Sequence, residues 1–449
     1  MRFHLASALA VLSCAIPATL ALAAEPAAQH PADKPPISQG WMDIATFASP
    51  GMPGMAAGMM MGGGGGGADT PLSMLMGGKK AGNQFGRTRF GGSGSFLDVT
   101  LMTTRNPALQ DALQAVPEGS KLAPTLQLKV LPDAKPSSHE YKEGDVEEPS
   151  QQPKGKIKLY WGCGPTIRPG QPKIVDLATG TIGDLAEIFK GRRATQRGTH
   201  SAPGRPVWPN LTDKRLVPEG ASLVGSHAFT GQGVPEDFKF TLPPAQDIMP
   251  PIALKQAQAD GVTQLTWAVL PTARAYFIAA MGGRGDRDNS AEVTIWTSSE
   301  LPDSGFGLID YQTNKAVDQW LKDKVLLAPT TTRCDIPKGI FPEGSGGMLR
   351  MIAYGSELNL AYPPRPTDAT VAWEPDWALK VRVKSVVMSM LGMHGGMEGA
   401  APPSAAEAQG ASTPPADQPP ADQQAQPPKK KKGFSLSDAI EAAKQAIPH

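Results

Sequence analysis

One stretch constrains this chain more than any other. Residues 250–281 read PPIALKQAQADGVTQLTWAVLPTARAYFIAAM, two short alternating runs joined by a Pro-containing turn. In the first run Leu265, Trp267 and Val269 point one way, and Gln264, Thr266 and Ala268 the other. Successive side chains of a strand take opposite faces, so the pattern predicts a strand with one buried face. Pro271-Thr-Ala-Arg274 then breaks the alternation. In residues 275–281, Tyr276, Ile278 and Ala280 share one face, and Phe277, Ala279 and Met281 the other. Both faces are apolar, which predicts a central strand covered on both sides.

These residues also carry a family resemblance. Pro250-Pro251, the apolar run 252–254, Gly261, Leu265-Thr266-Trp267 and Tyr276 resemble the start of a fibronectin type III domain. The resemblance covers residues 250–297 and implies a sandwich of two sheets with Trp267 and Tyr276 in its core. It implies a fold and no chemistry. The segment from there to the last expected strand, near Val387, is longer than a standard module, which implies an insertion.

The N-terminus predicts a destination. Arg2 precedes an Ala/Leu-rich apolar run at residues 5–22, interrupted by Pro17, and Ala21-Leu22-Ala23 supplies small residues for cleavage. Residues 1–23 are therefore expected to be a secretory signal peptide, with Pro17 and the polar Pro-rich sequence that follows arguing against a retained membrane helix. The expected location is the periplasm or cell envelope of a bacterium. Losing Arg2 takes the formal net charge from +1 to zero. No overall field then draws the chain to nucleic acid, and none is expected as a partner. Beyond the signal, Cys163 and Cys334 remain. An exported chain with two cysteines is expected to pair them, the alternative being two separately buried thiols. No Cys-x-x-Cys or Cys/His grouping supports a zinc site.

The fold class expected is mainly β, with two β-sandwich-like domains and a few short helices between disordered low-complexity tails. Residues 24–87 are rich in Met, Gly and Pro and are expected to be disordered. A β-rich domain is expected over 88–243, and the fibronectin type III-like sandwich with a helical insertion over 244–390. A Pro/Ala/Gln-rich linker at 391–432 ends in four lysines, and 433–449 reads as a short amphipathic helix. Alternation marks strands at 96–102, 126–131, 156–161, 173–177, 222–230, 238–242, 292–297, 348–354, 371–373 and 379–383. In the last of these, Lys380, Arg382 and Lys384 are expected to face water. Helices are expected after Asn106-Pro107, with Leu109 and Leu113 on one face; from a cap at Thr181 to Gly191; and from a cap at Thr313 to about residue 325, with Val317, Trp320 and Leu321 buried.

Chemical signatures are scarce. The chain has no Gly-x-Ser-x-Gly elbow, no His-Glu-x-x-His and no phosphate loop, and its histidines are scattered. Ser226-His227 is the least remote place for a catalytic pair. No catalytic residue, cofactor or metal is assigned. Residues 190–215 are basic, and Arg192, Arg193, Arg197 and Trp208 form either an anion patch or part of a solvated loop with ion pairs. Arg284-Gly285-Asp286 reads as part of a hairpin loop. Met52, Met55, Met59, Met60 and Met61 offer thioethers suited to Cu(I). The expectation is an exported, non-enzymatic envelope protein, a structural or binding module. Its tails would contact cell-wall glycan, the membrane surface or an envelope protein. A periplasmic Met-rich copper-binding protein and a hydrolase with an unrecognised site are the alternatives.

Overall fold

Alternating runs become strands wherever a buried face is available to receive every second side chain. The computed structural model describes residues 34–50, 83–89, 92–122, 124–132, 155–176, 191–285, 291–341, 347–368 and 371–391. Its strands, in chain order, are β1 (Ser38–Ala48), β2 (Gly94–Thr103), β3 (Asp111–Ala115), β4 (Thr125–Lys129), β5 (Gly155–Trp161), β6 (Lys173–Asp176), β7 (Val207–Trp208), β8 (Gly225–Gly231), β9 (Lys239–Leu242), β10 (Lys255–Ala259), β11 (Val262–Thr266), β12 (Ala275–Gly285), β13 (Ala291–Thr297), β14 (Arg333–Ile336), β15 (Gly347–Tyr354), β16 (Leu358–Tyr362) and β17 (Trp377–Leu391). One α-helix, α1 (Asn314–Lys322), lies among the described residues. The fold is mainly β, as the alternation predicts.

A 14-stranded sheet runs in the order β6-β5-β13-β12-β15-β17-β1-β2-β7-β4-β3-β8-β9, with β16 pairing β17 off this path. A 3-stranded sheet, β10-β11-β14, is separate. Strands from after the expected boundary at 243/244 form a block, β13-β12-β15-β17, inserted between strands from before it in the large sheet: β5 is parallel to β13, and β1 is parallel to β17. That boundary therefore does not divide the sheet. A second correction concerns residues 24–87. Ser38–Ala48, placed there in a disordered segment, forms β1 near the middle of the sheet, hydrogen-bonded to β17 on one side and β2 on the other. Nothing local marks it, because its two faces are filled by strands distant in sequence.

Both faces of the central strands are covered. On one face Met42, Ile44, Leu97, Val99, Tyr276, Ile278, Leu349, Met351, Val381 and Val383 join the largest apolar core. The sheet curls so that its β8–β9 end packs on this face. Gly40 sits at that contact: a Cβ there would come within 3.0 Å of the Phe229 ring. The 3-stranded sheet closes the same core through Leu265, Cys334 and Ile336. The Trp267 and Tyr276 rings meet edge to face at 5.7 Å, and the Tyr276 hydroxyl accepts from the Leu270 amide at 2.8 Å. The two runs of residues 250–281 thus fall in different sheets, bridged by these rings. The first run stops at Thr266, leaving Val269 46% exposed rather than buried.

The opposite face carries Ala45, Phe47, Phe96, Phe277, Ile352 and Val386, covered by α1 through Val317 and Trp320. Thr313 caps α1, accepting from the Ala316 amide at 3.4 Å. The rest of this face lies under residues 191–200 and 303–312. Two other expectations are corrected. Asn106 opens a turn, not a helix, and the chain enters β3 with Leu113 outward and Ala112 and Gln114 inward. Residues 371–373 form no strand. The expected signal peptide, the helix capped by Thr181, and the C-terminal linker and helix lie outside the described residues.

Register places one further feature. Ala48, Gly94, Gly155, Asp176, Gly285, Ala291, Gly347 and Leu391 are strand ends on the same edge of the large sheet. The chain segments 51–82, 133–154, 177–190, 286–290, 342–346 and 392–449, which lie outside the described residues, each meet the fold at that edge by at least one of their ends.

Candidate functional site

The charged residues of β17 converge on β1. Arg382 lies directly opposite Asp43 across the parallel pair, and Asp98 lies opposite Asp43 on the other side. Arg382 Nε and Nη2 donate to the two Asp43 carboxylate oxygens at 2.6 and 2.7 Å. The Thr199 amide and hydroxyl also donate to Asp43, at 3.0 and 2.6 Å. The third Arg382 nitrogen donates to the Gln196 carbonyl at 2.7 Å. Two residues along, Lys384 pairs with Asp310 at 3.0 Å. The Tyr311 ring sits under both cations, 4.3 Å from the Arg382 guanidinium carbon and 4.2 Å from the Lys384 nitrogen. Its hydroxyl donates to the Ile44 carbonyl at 3.0 Å. Lys380 pairs with Glu357 at 3.4 Å.

The three cations expected in water are therefore under cover, with the Arg382 and Lys384 side chains 3% and 1% exposed. Alternating charge misleads here because the covering layer is polar: residues 191–200 and 303–312 bring carbonyls, a hydroxyl and a carboxylate to meet it. Gln312 fastens the two segments together, accepting from the Ala194 amide at 2.8 Å and donating to the Gly307 carbonyl at 2.8 Å.

Electrostatics within the cluster are unequal. Burial alone would raise the Asp43 carboxyl, but Arg382 and Thr199 hold it below the usual carboxylate range. Asp310 is likewise held low by Lys384 and Arg382 against the cost of its burial. Asp98 goes the other way. Burial, with a smaller contribution from the Asp43 charge, pushes it up to about 7 despite donors from the Thr88 hydroxyl and amide and the Gly86 amide. These contacts bind the turn at 83–89 to β2. The cluster can hold two covering segments on a sheet. Among the described residues no group of His, Cys, Asp and Glu is arranged to hold a metal ion.

A second polar centre lies one row along the strands, where Trp41 of β1 stands opposite Thr100 of β2. The His200 ring meets Trp41 edge-on at 5.2 Å. Its Nδ1 is 2.7 Å from the Gly198 carbonyl, which makes Nδ1 the protonated nitrogen, and Nε2 is buried with no partner. Burial, then the charges of Arg205, Arg197 and Arg89, push the imidazole down to about 4, against the Gly198 hydrogen bond. Arg205 lies over the same Trp41 ring at 5.6 Å, and Arg89 donates to the Thr199 carbonyl at 3.4 Å.

The structure separates the residues of the expected anion patch. Trp208 is fully buried in β7, and Arg192 is paired with Asp303 at 3.0 Å. Arg193 is half-buried, while Arg197 is exposed and belongs with Arg89 and Arg205 instead. His227 is a core residue: its ring stacks on Phe240 at 5.1 Å, Nε2 donates to the Leu223 carbonyl at 2.8 Å, and Nδ1 faces Gln114 at 3.3 Å. Cys163, just after β5, and Cys334 of β14 are bonded, with Cα atoms 5.2 Å apart, and so tie the small sheet to the large one. Met52, Met55, Met59, Met60 and Met61, and Asp286 of the Arg-Gly-Asp tripeptide, lie outside the described residues. Asp43, Asp98, Asp310 and Arg89 were not singled out by sequence; an aspartate inside an apolar strand, Asp43 or Asp98, is the signal that points to them.

Fold and centres together define a mainly β protein with a charged cluster buried between its sheet and two covering segments. Neither a scan against protein-family models nor a search of curated proteins finds a match to the chain.

Proposed function

We propose that this is an exported, non-enzymatic envelope protein that works as a binding scaffold. The observation that carries the proposal is the convergence of eight strand ends, from Ala48 to Leu391, on one edge of the large sheet. A sheet that collects its connecting segments on one edge has the layout of a recognition surface, because connecting segments carry function while the sheet fixes their spacing. The sequences joined there differ in chemistry. Residues 51–82 are Met- and Gly-rich, 133–154 are acidic, and 392–449 contain four consecutive lysines. Their partners would be cell-wall glycan, the membrane surface or an envelope protein. The bonded cysteines suit an oxidising compartment.

Two variants of the full chain test this, one with residues 51–82 replaced by a short Gly/Ser linker and one ending at residue 391. Each would be used to capture material from the native envelope, with intact folding checked by circular dichroism. Loss of the captured material in either variant supports the scaffold. Capture unchanged in both, and in a chain carrying both changes, overturns it.

A further inference from the structure

We propose that Arg89, Arg197 and Arg205, gathered around His200, form a binding site for a phosphate group, free or carried as a monoester. This site lies on the rows of Trp41 and Thr100, away from the edge at Ala48 and Gly94, and does not depend on the scaffold reading.

Three guanidiniums act on one imidazole here, and Arg205 also feels Arg197 directly. Among the described residues no carboxylate is paired with Arg197 or Arg205, whereas Arg192, Arg215 and Arg382 each have an aspartate. The charge of Arg197 and Arg205 is therefore left without an acid partner among the described residues, while Arg89 also acts on Asp310. Arg205 is half-buried, so its charge is poorly screened by water and would gain from an anion. Two of the three arginines are anchored, Arg89 on the Thr199 carbonyl and Arg205 on the Trp41 ring. Arg197 is exposed on the same loop that carries His200. Planar guanidiniums match the oxygens of a tetrahedral oxyanion in paired hydrogen bonds.

His200 selects among oxyanions. Its Nδ1 proton is committed to the Gly198 carbonyl, so Nε2, buried in the free protein, keeps a lone pair with nothing to accept from. Phosphate and its monoesters carry a P–O–H near neutral pH that can donate to such a nitrogen while the remaining oxygens face arginine. Sulfate has no proton to give, so it leaves Nε2 as unpartnered as in the free protein and forgoes the hydrogen bond that phosphate makes.

Calorimetric titration of the full chain with inorganic phosphate and with sulfate, at matched ionic strength, tests the site. Vesicles of phosphatidylcholine with and without phosphatidic acid form a separate arm, distinguishing a lipid headgroup from the free ion. The expected result is saturable binding of phosphate, or of phosphatidic acid vesicles alone if the headgroup is the source. Sulfate should bind at least tenfold more weakly than phosphate. Arg197→Ala, at an exposed position, should weaken binding roughly tenfold or more. Arg205→Lys, which keeps the charge and loses the planar fork, should weaken it as well. Absence of binding in both arms, sulfate bound as tightly as phosphate, or binding indifferent to both variants overturns the proposal.

Discussion

Asp43 and Arg382 face each other across a parallel strand pair, 339 residues apart in sequence, and share two charge-assisted hydrogen bonds in the middle of the sheet. The pair fixes the register of β1 on β17. A slip of β1 by one residue would turn Asp43 into the apolar core and leave Arg382 without its partner. It also holds the covering layer, because Thr199 and Gln196 complete its hydrogen bonds. The net stabilisation from such a pair is modest, since desolvation offsets most of the attraction, but an unpaired survivor is expensive.

Breaking the pair from one side should therefore be costly. Asp43→Leu and Arg382→Met are each expected to lower the unfolding free energy by about 3–5 kcal/mol. The double variant should lose less than the sum of the two by at least about 1 kcal/mol. Urea unfolding of the four proteins closes the cycle; strict additivity would show that the two side chains do not interact.

Asp98 gives the fold a pH dependence of definite sign. Its carboxyl is raised to about 7 by burial, above the 3.8 it has when exposed. The folded state therefore binds the proton more tightly than the unfolded state. Its contribution is fully present below about pH 4 and is lost as the pH rises through about 7. Asp98→Asn, which keeps an acceptor for Gly86, should flatten the stability curve between these limits and stabilise the protein above pH 7. A variant whose unfolding midpoints parallel those of the parent from pH 4 to 8 would assign Asp98 an ordinary titration.

The bond between Cys163 and Cys334 closes a separation of 171 residues and joins two sheets. Cross-links over such distances restrict the unfolded chain strongly. Replacing both cysteines by serine is expected to cost about 2–5 kcal/mol in urea unfolding. A difference below about 0.5 kcal/mol would mean that the bond adds nothing to folding, the usual outcome for a change at an independent surface site.

Much of the β architecture was legible. Trp267 and Tyr276 meet in the core as the period-two pattern requires, and residues 275–281 are covered on both faces. The cap at Thr313 and the buried Val317 and Trp320 follow directly from helical spacing. What failed shares one cause: long-range partners. β1 sits between low-complexity sequence and carries Asp43 among apolar residues, so neither composition nor alternation isolates it. Lys380, Arg382 and Lys384 have the pattern of a solvated face, and only Asp43, Asp310 and Glu357, brought from elsewhere, turn that face inward. The residues around His200 come from β1, β2, the turn at 83–89 and the loop at 191–205, and no spacing in the chain announces their meeting.

Both the edge that gathers the connecting segments and the clamp on Arg382 require β1 to be locked between β17 and β2. Native-state hydrogen exchange of the full chain, read at the amides from Met42 to Phe47, measures this directly. Hydrogen-bonded on both sides, these amides should exchange only through global unfolding, with the same protection as Val381 to Val387 of β17. Exchange of this stretch at the rate of an unstructured peptide would contradict the placement of β1 and the surface built on it.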